Sequence, residues 1–199
     1  MTTGTATSGR RLSREERSRR ILDTAERLFY PRGVHEVGMD ELVRETGLGK
    51  ATVYRLYPTK DVLVAAYLRR MADRILAEID GQAAGADPRA ALRAVLDAIE
   101  TDVRRDGFRG CAFNNASIEF QDPDHPARVE ARRYRNELAR RLVELSVAAA
   151  GPERGAAAGH QLAVLVDGVY TNAAHLGPAG PAAAGLDLAR RLVADLRSP

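Results

Sequence analysis

The sequence has little cysteine, few aromatic residues and no long apolar run. Its one cysteine, Cys111, excludes an internal disulfide framework and a thiolate-rich metal site. No apolar stretch approaches the roughly 18 residues that a membrane-spanning helix needs, and the polar start, MTTGTATSGRR, lacks the apolar core of a signal peptide. We therefore expect a cytoplasmic protein that works without contact with a membrane.

Tryptophan is absent and aromatic residues make up 5% of the chain, whereas Ala, Leu and Arg dominate. These three are good helix formers, and the β-branched residues favoured in strands are less common. With 45% hydrophobic residues in 199, the chain can bury the core of one good-sized domain or of two small ones. The composition predicts an all-α fold.

Positive charge is concentrated at the N-terminal end. Residues 1–60 hold 12 Lys/Arg against 8 Asp/Glu, while residues 61–199 hold 18 against 19. Residues 1–11 have no periodicity and are rich in Thr, Ser, Gly and Arg, which predicts a disordered basic arm. The arginines in and after this arm either contact DNA phosphates or a minor groove, or form a solvated basic face. They are Arg10, Arg11, Arg14, Arg17, Arg19 and Arg20.

Apolar spacing predicts a series of helices with recognisable ends. Ser13 and Glu16 have the spacing of a capping box for a first helix that Pro31 and Gly33 stop. Thr59 caps a long fourth helix to about Asp80, with Val62, Leu63, Ala66, Tyr67, Met71, Ile75 and Ile79 predicted on its buried side. Further helices follow at 88–106, after Pro126, at 161–176 and at 186–196, with residues 177–185 interpreted as a hinge or loop. We predict an N-terminal unit over residues 12–58 and a larger helical unit over residues 59–199.

Residues 39–57, MDELVRETGLGKATVYRLY, combine a short helix, a glycine-containing turn and a second short helix. In a helix-turn-helix the first helix braces the second, whose exposed side chains enter the DNA major groove. Phosphate and base recognition needs cations, hydroxyls and a fork-shaped donor on that outer face. The alternative is a pair of short helices with a purely structural role. The predicted outer face consists of Lys50, Ala51, Thr52, Tyr54 and Arg55.

Residues 14 to about 65 resemble the TetR family of dimeric transcriptional repressors. The stretch ILDTAERLFYPRGVHEVGMDELVRETGLGKATVYRLYPTKDVLV is similar in the order and spacing of its first four helix starts. Leu56 stands where the family commonly has His, and Tyr57 replaces Phe, so Tyr57 would offer a hydroxyl in place of that His. The resemblance implies a double-stranded DNA operator as partner. The residues predicted to contact it are Arg14, Met39, Lys50, Ala51, Thr52, Tyr54, Arg55, Tyr57 and Lys60.

The segment RGCAFNNASIEFQDPDHPAR looks like one found in a TetR subgroup, which implies a C-terminal ligand-binding and dimerisation domain. In such proteins the last two long helices form a four-helix bundle with their two-fold mates. The helix at 161–176, apolar nearly all round, agrees with this homodimer. The predicted interface residues are Leu162, Leu165, Val166, Val169, Leu188, Leu192 and Leu196.

A small-molecule effector would contact polar or aromatic residues on otherwise buried helix faces. The same pattern is typical of ordinary core residues, so both interpretations stay open. Buried amides such as those of Asn114 and Asn115 need partners that a ligand can supply, and Cys111 is either a redox switch or an inert small hydrophobe. The ligand candidates are Tyr67, Met71, Phe108, Phe113, Asn114, Glu119, Tyr134, Asp167, Tyr170, Asn172 and His175.

Enzyme and metal functions have little support. The sequence contains no P-loop, GxGxxG or GxSxG motif, so we expect neither an enzyme nor a cofactor. Asp122, Asp124 and His125 lie in a proline-flanked turn, where capping of the next helix explains them better than a metal does. The prediction is a dimeric repressor released from its operator by a small molecule. A helical interaction module without ligand control, and activation in place of repression, remain alternatives.

Overall fold

Residues 12–197, which the computed structural model describes, contain nine α-helices and no strand, so the prediction of an all-α fold is confirmed. No helix in this range is both long enough and apolar enough to cross a bilayer. The predicted arm at residues 1–11 lies outside the described residues. The helices are α1 (Arg14–Arg32), α2 (Met39–Thr46), α3 (Lys50–Leu56), α4 (Lys60–Ala83), α5 (Pro88–Arg104), α6 (Ala112–Glu119), α7 (Pro126–Ala150), α8 (Pro152–Leu176) and α9 (Pro181–Ala194).

Helix α1 begins and ends as its sequence predicts. The Glu16 backbone N–H donates to Ser13 Oγ at 3.1 Å and the Ser13 N–H donates to Glu16 Oε2 at 2.7 Å, which completes the capping box. Gly33 ends the helix with φ 87°, a left-handed value that glycine adopts without strain. The buried side of α1 packs against α2 and α4, which forms a small N-terminal core around Ile21 and Phe29.

Helix α4 connects this N-terminal unit to the rest of the molecule. Thr59 caps it as predicted, with its hydroxyl accepting from the Val62 N–H at 3.2 Å. It continues to Ala83, slightly beyond the predicted end. The prediction that Val62 is buried is wrong: its side chain is 43% exposed, because the core-facing stripe begins at Leu63.

Helices α7 and α8 pack closely through two glycines. A Cβ at Gly155 would lie 2.4 Å from the Val147 Cα, and one at Gly159 would lie 2.4 Å from the Val143 Cα. Only glycine permits this antiparallel approach. Helix α8 therefore begins at Pro152, well before the predicted residue 161, because its glycines pack against a neighbouring helix and do not end the helix.

The interpretation of residues 177–185 as a hinge or loop is wrong over its second half. Only residues 177–180 connect α8 to α9, and Pro181 is the first residue of α9. Proline suits a first helical turn because the backbone N–H that it lacks would have no intrahelical acceptor there. The alanines that follow continue the helix, since alanine has the highest helix propensity.

Candidate nucleic-acid interface and ligand cavity

Packing between α2 and α3 leaves one face of α3 free. Leu42 and Val53 are fully buried, and they join the two short helices to α1. Lys50, Ala51 and Arg55 are exposed, while Thr52 and Tyr54 are half-buried. The outer face therefore offers an ammonium, a guanidinium and two hydroxyls, the groups that bind phosphates and base edges. We call residues 14–56 the reading head.

The turn between α2 and α3 is held by a buried threonine that sequence reasoning missed. The Thr46 hydroxyl donates to the Val43 carbonyl at 2.7 Å and accepts from the Leu48 N–H at 3.1 Å. Gly47 follows with φ 63°, and a Cβ there would lie 2.8 Å from Arg20 Nη2. The guanidinium of Arg20 thus lies beside the turn. A T-G pair at the end of a short helix was the available signal.

Several arginines of the reading head have no carboxylate partner. Arg27 is paired with Glu45 at 3.0 Å and Arg32 with Glu41 at 2.7 Å. By contrast, no ion pair within residues 12–197 involves a second set of exposed arginines, so these are free to neutralise phosphates. They are Arg14, Arg19, Arg20, Arg44 and Arg55.

Lys50 is held in place on the outer face. Its Nζ donates to Asp40 Oδ1 at 2.7 Å, and this hydrogen bond raises the pKa of the lysine. The ammonium also lies 5.8 Å from the centroid of the Tyr54 ring. The lysine is therefore charged at neutral pH, and a contact between Lys50 and a phosphate would replace its contact with Asp40.

Three other residues that were predicted to contact DNA are less exposed than Lys50. The Tyr57 ring is 8% exposed and its hydroxyl lies 2.7 Å from Ser18 Oγ, so the hydroxyl already has a partner. Lys60 is half-buried, and this desolvation lowers its pKa although Glu119 and Asp61 act in the opposite direction. Met39 is half-buried against the core at the start of α2.

The reading head is fastened to α6 by a set of hydrogen bonds that we call the junction, between residues 30–35 and 109–119. Glu119 Oε2 accepts from the backbone N–H of Val34 at 2.7 Å and of His35 at 3.1 Å. The Tyr30 hydroxyl donates to the Gly110 carbonyl at 3.0 Å and accepts from the Arg109 N–H at 2.9 Å. Glu119, a predicted ligand residue, thus uses its carboxylate to hold backbone amides of the reading head.

A cavity of about 850 Å³ lies among α1 and α4–α8. Four of the eleven predicted ligand residues line it: Met71, Phe113, Tyr134 and Tyr170. A second cavity of about 390 Å³ lies on another side of α6 and is lined by Tyr67, Phe108, Glu119 and His175. The remaining three line neither cavity: Asn114 and Asp167 both bind Arg135, and the Asn172 amide donates to the Gly168 carbonyl.

The larger cavity has polar residues that sequence reasoning missed. Asp102 accepts from the Tyr170 hydroxyl at 2.9 Å and from Arg105 Nε at 2.6 Å. Burial and the neighbouring carboxylate raise the pKa of Tyr170. Glu26 accepts from Arg74 Nη2 at 2.8 Å and from Arg70 Nη2 at 3.0 Å, and these two arginines lower the pKa of Glu26 although burial acts against them. No local sequence pattern marks these charges as one group, because they come from α1, α4 and the end of α5.

The surroundings of Cys111 and of the proline-flanked turn fit structural roles for both. Cys111 is half-buried in the cavity wall, and burial raises the pKa of its thiol, which keeps it protonated at neutral pH. His125 Nδ1 accepts from the Ala127 N–H at 3.2 Å, so the prediction that this turn caps α7 is confirmed. Over residues 12–197 there is no group of three or more His, Cys, Asp or Glu suited to a metal ion.

The predicted dimer residues need a correction. Leu162, Val166, Val169 and Leu196 are at most 3% exposed within one protomer, so their side chains belong to its own core and not to a surface. The three residues on α8 are buried because α8 packs against both α7 and α9, and Leu196 joins the same core just after α9 ends. Leu165 and Leu192 are half-buried and Leu188 is 48% exposed. The outward apolar residues also include Val164 at 71% and Leu176 at 65%, which the sequence prediction omitted.

Comparison with known proteins relates both halves of the chain to one group of regulators. Residues 21–67 match a family profile that is described as "Bacterial regulatory proteins, tetR family". The crystal structure of SCO4454, a TetR-family transcriptional regulator from Streptomyces coelicolor, is 32% identical, with a TM-score of 0.83, over 90% of this chain and 96% of that one. A putative TetR transcriptional regulator from Streptomyces avermitilis is 25% identical, with a TM-score of 0.74, over 90% and 97%.

Among curated relatives, the HTH-type transcriptional activator FasR from Mycolicibacterium smegmatis is 33% identical over 116 residues. That alignment covers 57% of this chain and 53% of the relative. An uncharacterized HTH-type transcriptional regulator from Mycobacterium tuberculosis is 42% identical over 60 residues, or 30% of each chain. The matches thus span about half the length of these curated relatives, or less.

Proposed function

The chain belongs to the TetR family of transcriptional regulators, and from that premise we propose that it is a dimeric repressor that a small molecule releases from its operator. The outer face of α3 supports the DNA-binding part of this proposal most directly. That face carries Lys50, Thr52, Tyr54 and Arg55, and Arg55 has no ion pair within the described residues. Such a regulator works where the chromosome lies, which in a bacterium is the cytoplasm.

A second copy of the chain is the partner that the last two helices favour. Three large apolar side chains on these helices are about half exposed or more: Val164 and Leu176 on α8, and Leu188 on α9. Exposed apolar residues on neighbouring helices are typical of subunit interfaces. A two-fold dimer would place two α3 helices about one DNA turn apart, which matches successive major grooves.

The cavity and the junction together support control by a ligand. Helix α6 contributes Ala112 and Phe113 to the larger cavity, and Asn115 and Ala116 to the smaller one. Its last residue, Glu119, holds the Val34 and His35 amides. A ligand that shifts α6 would therefore move the reading head. The ligand would change the affinity for DNA if it binds more tightly when the reading head is in one position than when it is in another.

Activation is a second candidate because the relative from Mycolicibacterium smegmatis is named an activator. Both functions need the same DNA contacts and the same coupling, and they differ in whether the ligand weakens or strengthens operator binding. The direction is therefore decided by measurement of DNA affinity with and without ligand.

The proposal is tested with DNA recovered by selection from a random pool. Fluorescence anisotropy of the selected duplex gives the affinity at about 50 mM and about 200 mM salt, between which it should fall steeply. Compounds that raise the thermal midpoint of the protein are then added to the complex. Release of DNA by such a compound supports repression, tighter binding supports activation, and stabilising compounds that leave DNA affinity unchanged contradict ligand control.

A further inference from the structure

Tyr134 brings an unpartnered hydroxyl to the larger cavity. Its side chain is 7% exposed, and its ring stacks on Phe113 with centroids 3.8 Å apart. No hydrogen bond joins its hydroxyl to another group of residues 12–197, and the hydroxyl oxygen is not fully buried, because Tyr134 lines the cavity. The cavity's other tyrosines differ, because Tyr170 donates to Asp102 and Tyr30 donates to the Gly110 carbonyl. Because this hydroxyl has no partner in the protein, it is free to donate a hydrogen bond to an acceptor on a ligand.

A second polar group of the wall is also without a partner. Gln82 Oε1 is buried and accepts no hydrogen bond within the described part of the chain. A ligand that also carries a donor, such as a hydroxyl or an amide N–H, would satisfy it. The cavity therefore has room for one acceptor beside Tyr134 and one donor beside Gln82.

The charges of the wall are already matched by the protein. Arg105 is bound to Asp102 and Arg74 to Glu26, while Arg27 is paired with Glu45. The remaining carboxylate, Glu78, is exposed. An anion carried into the interior would therefore meet no free countercharge, and a cation would meet one only at the exposed Glu78 and not in the buried part of the cavity. Burial of an unmatched charge is strongly unfavourable.

The rest of the lining is apolar. Met71, Ile75, Ile79, Val95 and Ile99 line the space from α4 and α5, and Leu138 and Val166 line it from α7 and α8. A volume of about 850 Å³ lies in the upper part of the range found for small-molecule sites. It fits a polycyclic or similarly large molecule better than a small polar metabolite.

We propose that the ligand of this cavity is an uncharged, largely apolar molecule whose oxygen accepts a hydrogen bond from the Tyr134 hydroxyl. The inference rests on the proposed function only in assigning the cavity to a regulatory ligand. Its test measures binding without DNA, so a failed proposal about DNA release and a failed proposal about ligand chemistry give different results.

Four pyrene derivatives with one shared skeleton serve as probes. They are 1-acetylpyrene, which carries a neutral carbonyl, 1-ethylpyrene, which carries no polar atom, 1-pyrenecarboxylate and 1-pyrenemethylammonium. Their fluorescence reports binding to the full chain, which contains no tryptophan. We expect 1-acetylpyrene to bind most tightly, with at least about a tenfold preference over both charged probes.

Substitutions separate the hydroxyl from the cavity itself. Tyr134→Phe retains the stack on Phe113 and should weaken 1-acetylpyrene by about three- to tenfold, the value of one neutral hydrogen bond, while leaving 1-ethylpyrene unchanged. Tyr67→Phe is the matched control, because Tyr67 is 2% exposed, also lacks a hydroxyl partner in the described chain, and lines the smaller cavity. Ala98→Phe places a ring in the larger cavity and should weaken both neutral probes.

The outcomes decide the proposal. Tighter binding of the carboxylate or the ammonium probe, or binding of none of the four, overturns it. The proposal is also overturned if Tyr134→Phe weakens 1-acetylpyrene and 1-ethylpyrene equally. It is overturned as well if Tyr134→Phe and Tyr67→Phe weaken 1-acetylpyrene equally. Far-ultraviolet circular dichroism of each variant shows that the helical fold is intact.

Discussion

At the scale of single residues, Arg55 and Lys60 carry the same charge in different surroundings. Arg55 is exposed on the outer face of α3 with no ion pair among residues 12–197. Lys60 is half-buried at the start of α4, and its pKa is lowered by burial. A planar guanidinium on a recognition helix is suited to a guanine edge, whereas an ammonium acts as a point charge toward phosphate.

We expect Arg55→Ala to cost about 1–3 kcal/mol of operator affinity and to reduce discrimination at one base pair, because a base contact is lost. Lys60→Ala should weaken all DNA sequences by similar factors and reduce the salt slope by about one, because a phosphate contact is lost. Anisotropy titrations with the operator and its single-base variants, at several salt concentrations, measure both effects. The opposite pattern would exchange the two roles, and no effect of either substitution would contradict the interface.

The hydrogen-bond partner of Tyr57 could not be predicted from the sequence. A motif identifies the position but not the neighbour that occupies its hydroxyl, and Ser18 is 39 residues away in the sequence. The same limit applies to Glu119, whose amide partners in residues 34 and 35 come from another unit of the fold. Local spacing predicts which face of a helix is exposed, but not which distant backbone group it meets.

At the scale of helices, the close contact of α7 and α8 determines the shape of the C-terminal unit. We expect Gly159→Ala to destabilise the protein by about 1–3 kcal/mol, because the new Cβ would overlap the α7 backbone. Urea denaturation followed by circular dichroism measures the free energy of unfolding. Gly81→Ala is the matched control: nothing lies within 4 Å of its Cβ position, so it should be neutral or stabilising by up to about 1 kcal/mol.

The junction gives a second prediction for helices. We expect Glu119→Ala to speed hydrogen exchange of the Val34 and His35 amides, because it removes the acceptor of both. Glu119→Gln retains one oxygen and should have a smaller effect. Exchange mass spectrometry measures this, with Glu78→Ala as an exposed-carboxylate control. Unchanged exchange in the alanine variant would show that the carboxylate does not hold the reading head.

Helix ends were predictable where a side chain or a proline marks them, as at Ser13, Thr59 and Pro88. The start of α8 was not, because Gly155 and Gly159 are usual signs of a break and here permit a close helix contact. The residues that enclose the cavity were predicted only in part. Periodicity identifies buried residues such as Tyr134, but the empty space beside them depends on the packing of six helices.

At the scale of the whole molecule, the proposed regulator consists of two copies of the chain. We expect Val164→Asp to shift the protein toward monomers and to weaken operator binding, because it places a charge on the outward apolar face of α8. Light scattering coupled to size-exclusion chromatography measures the mass. Val129→Asp, at a 40% exposed valine on α7, is the matched control and should leave the mass unchanged. A dimer that resists Val164→Asp would assign the interface to another surface.

The central claim is that two copies of the reading head bind one symmetric DNA site. It is tested most directly by a footprint of the purified protein on the DNA that flanks its own coding sequence, at about 50 mM and about 200 mM salt. We expect a two-fold symmetric protected site, with half-sites about one helical turn apart and protection that weakens at the higher salt. Absence of salt-sensitive protection there and on DNA selected from a random pool would contradict the claim.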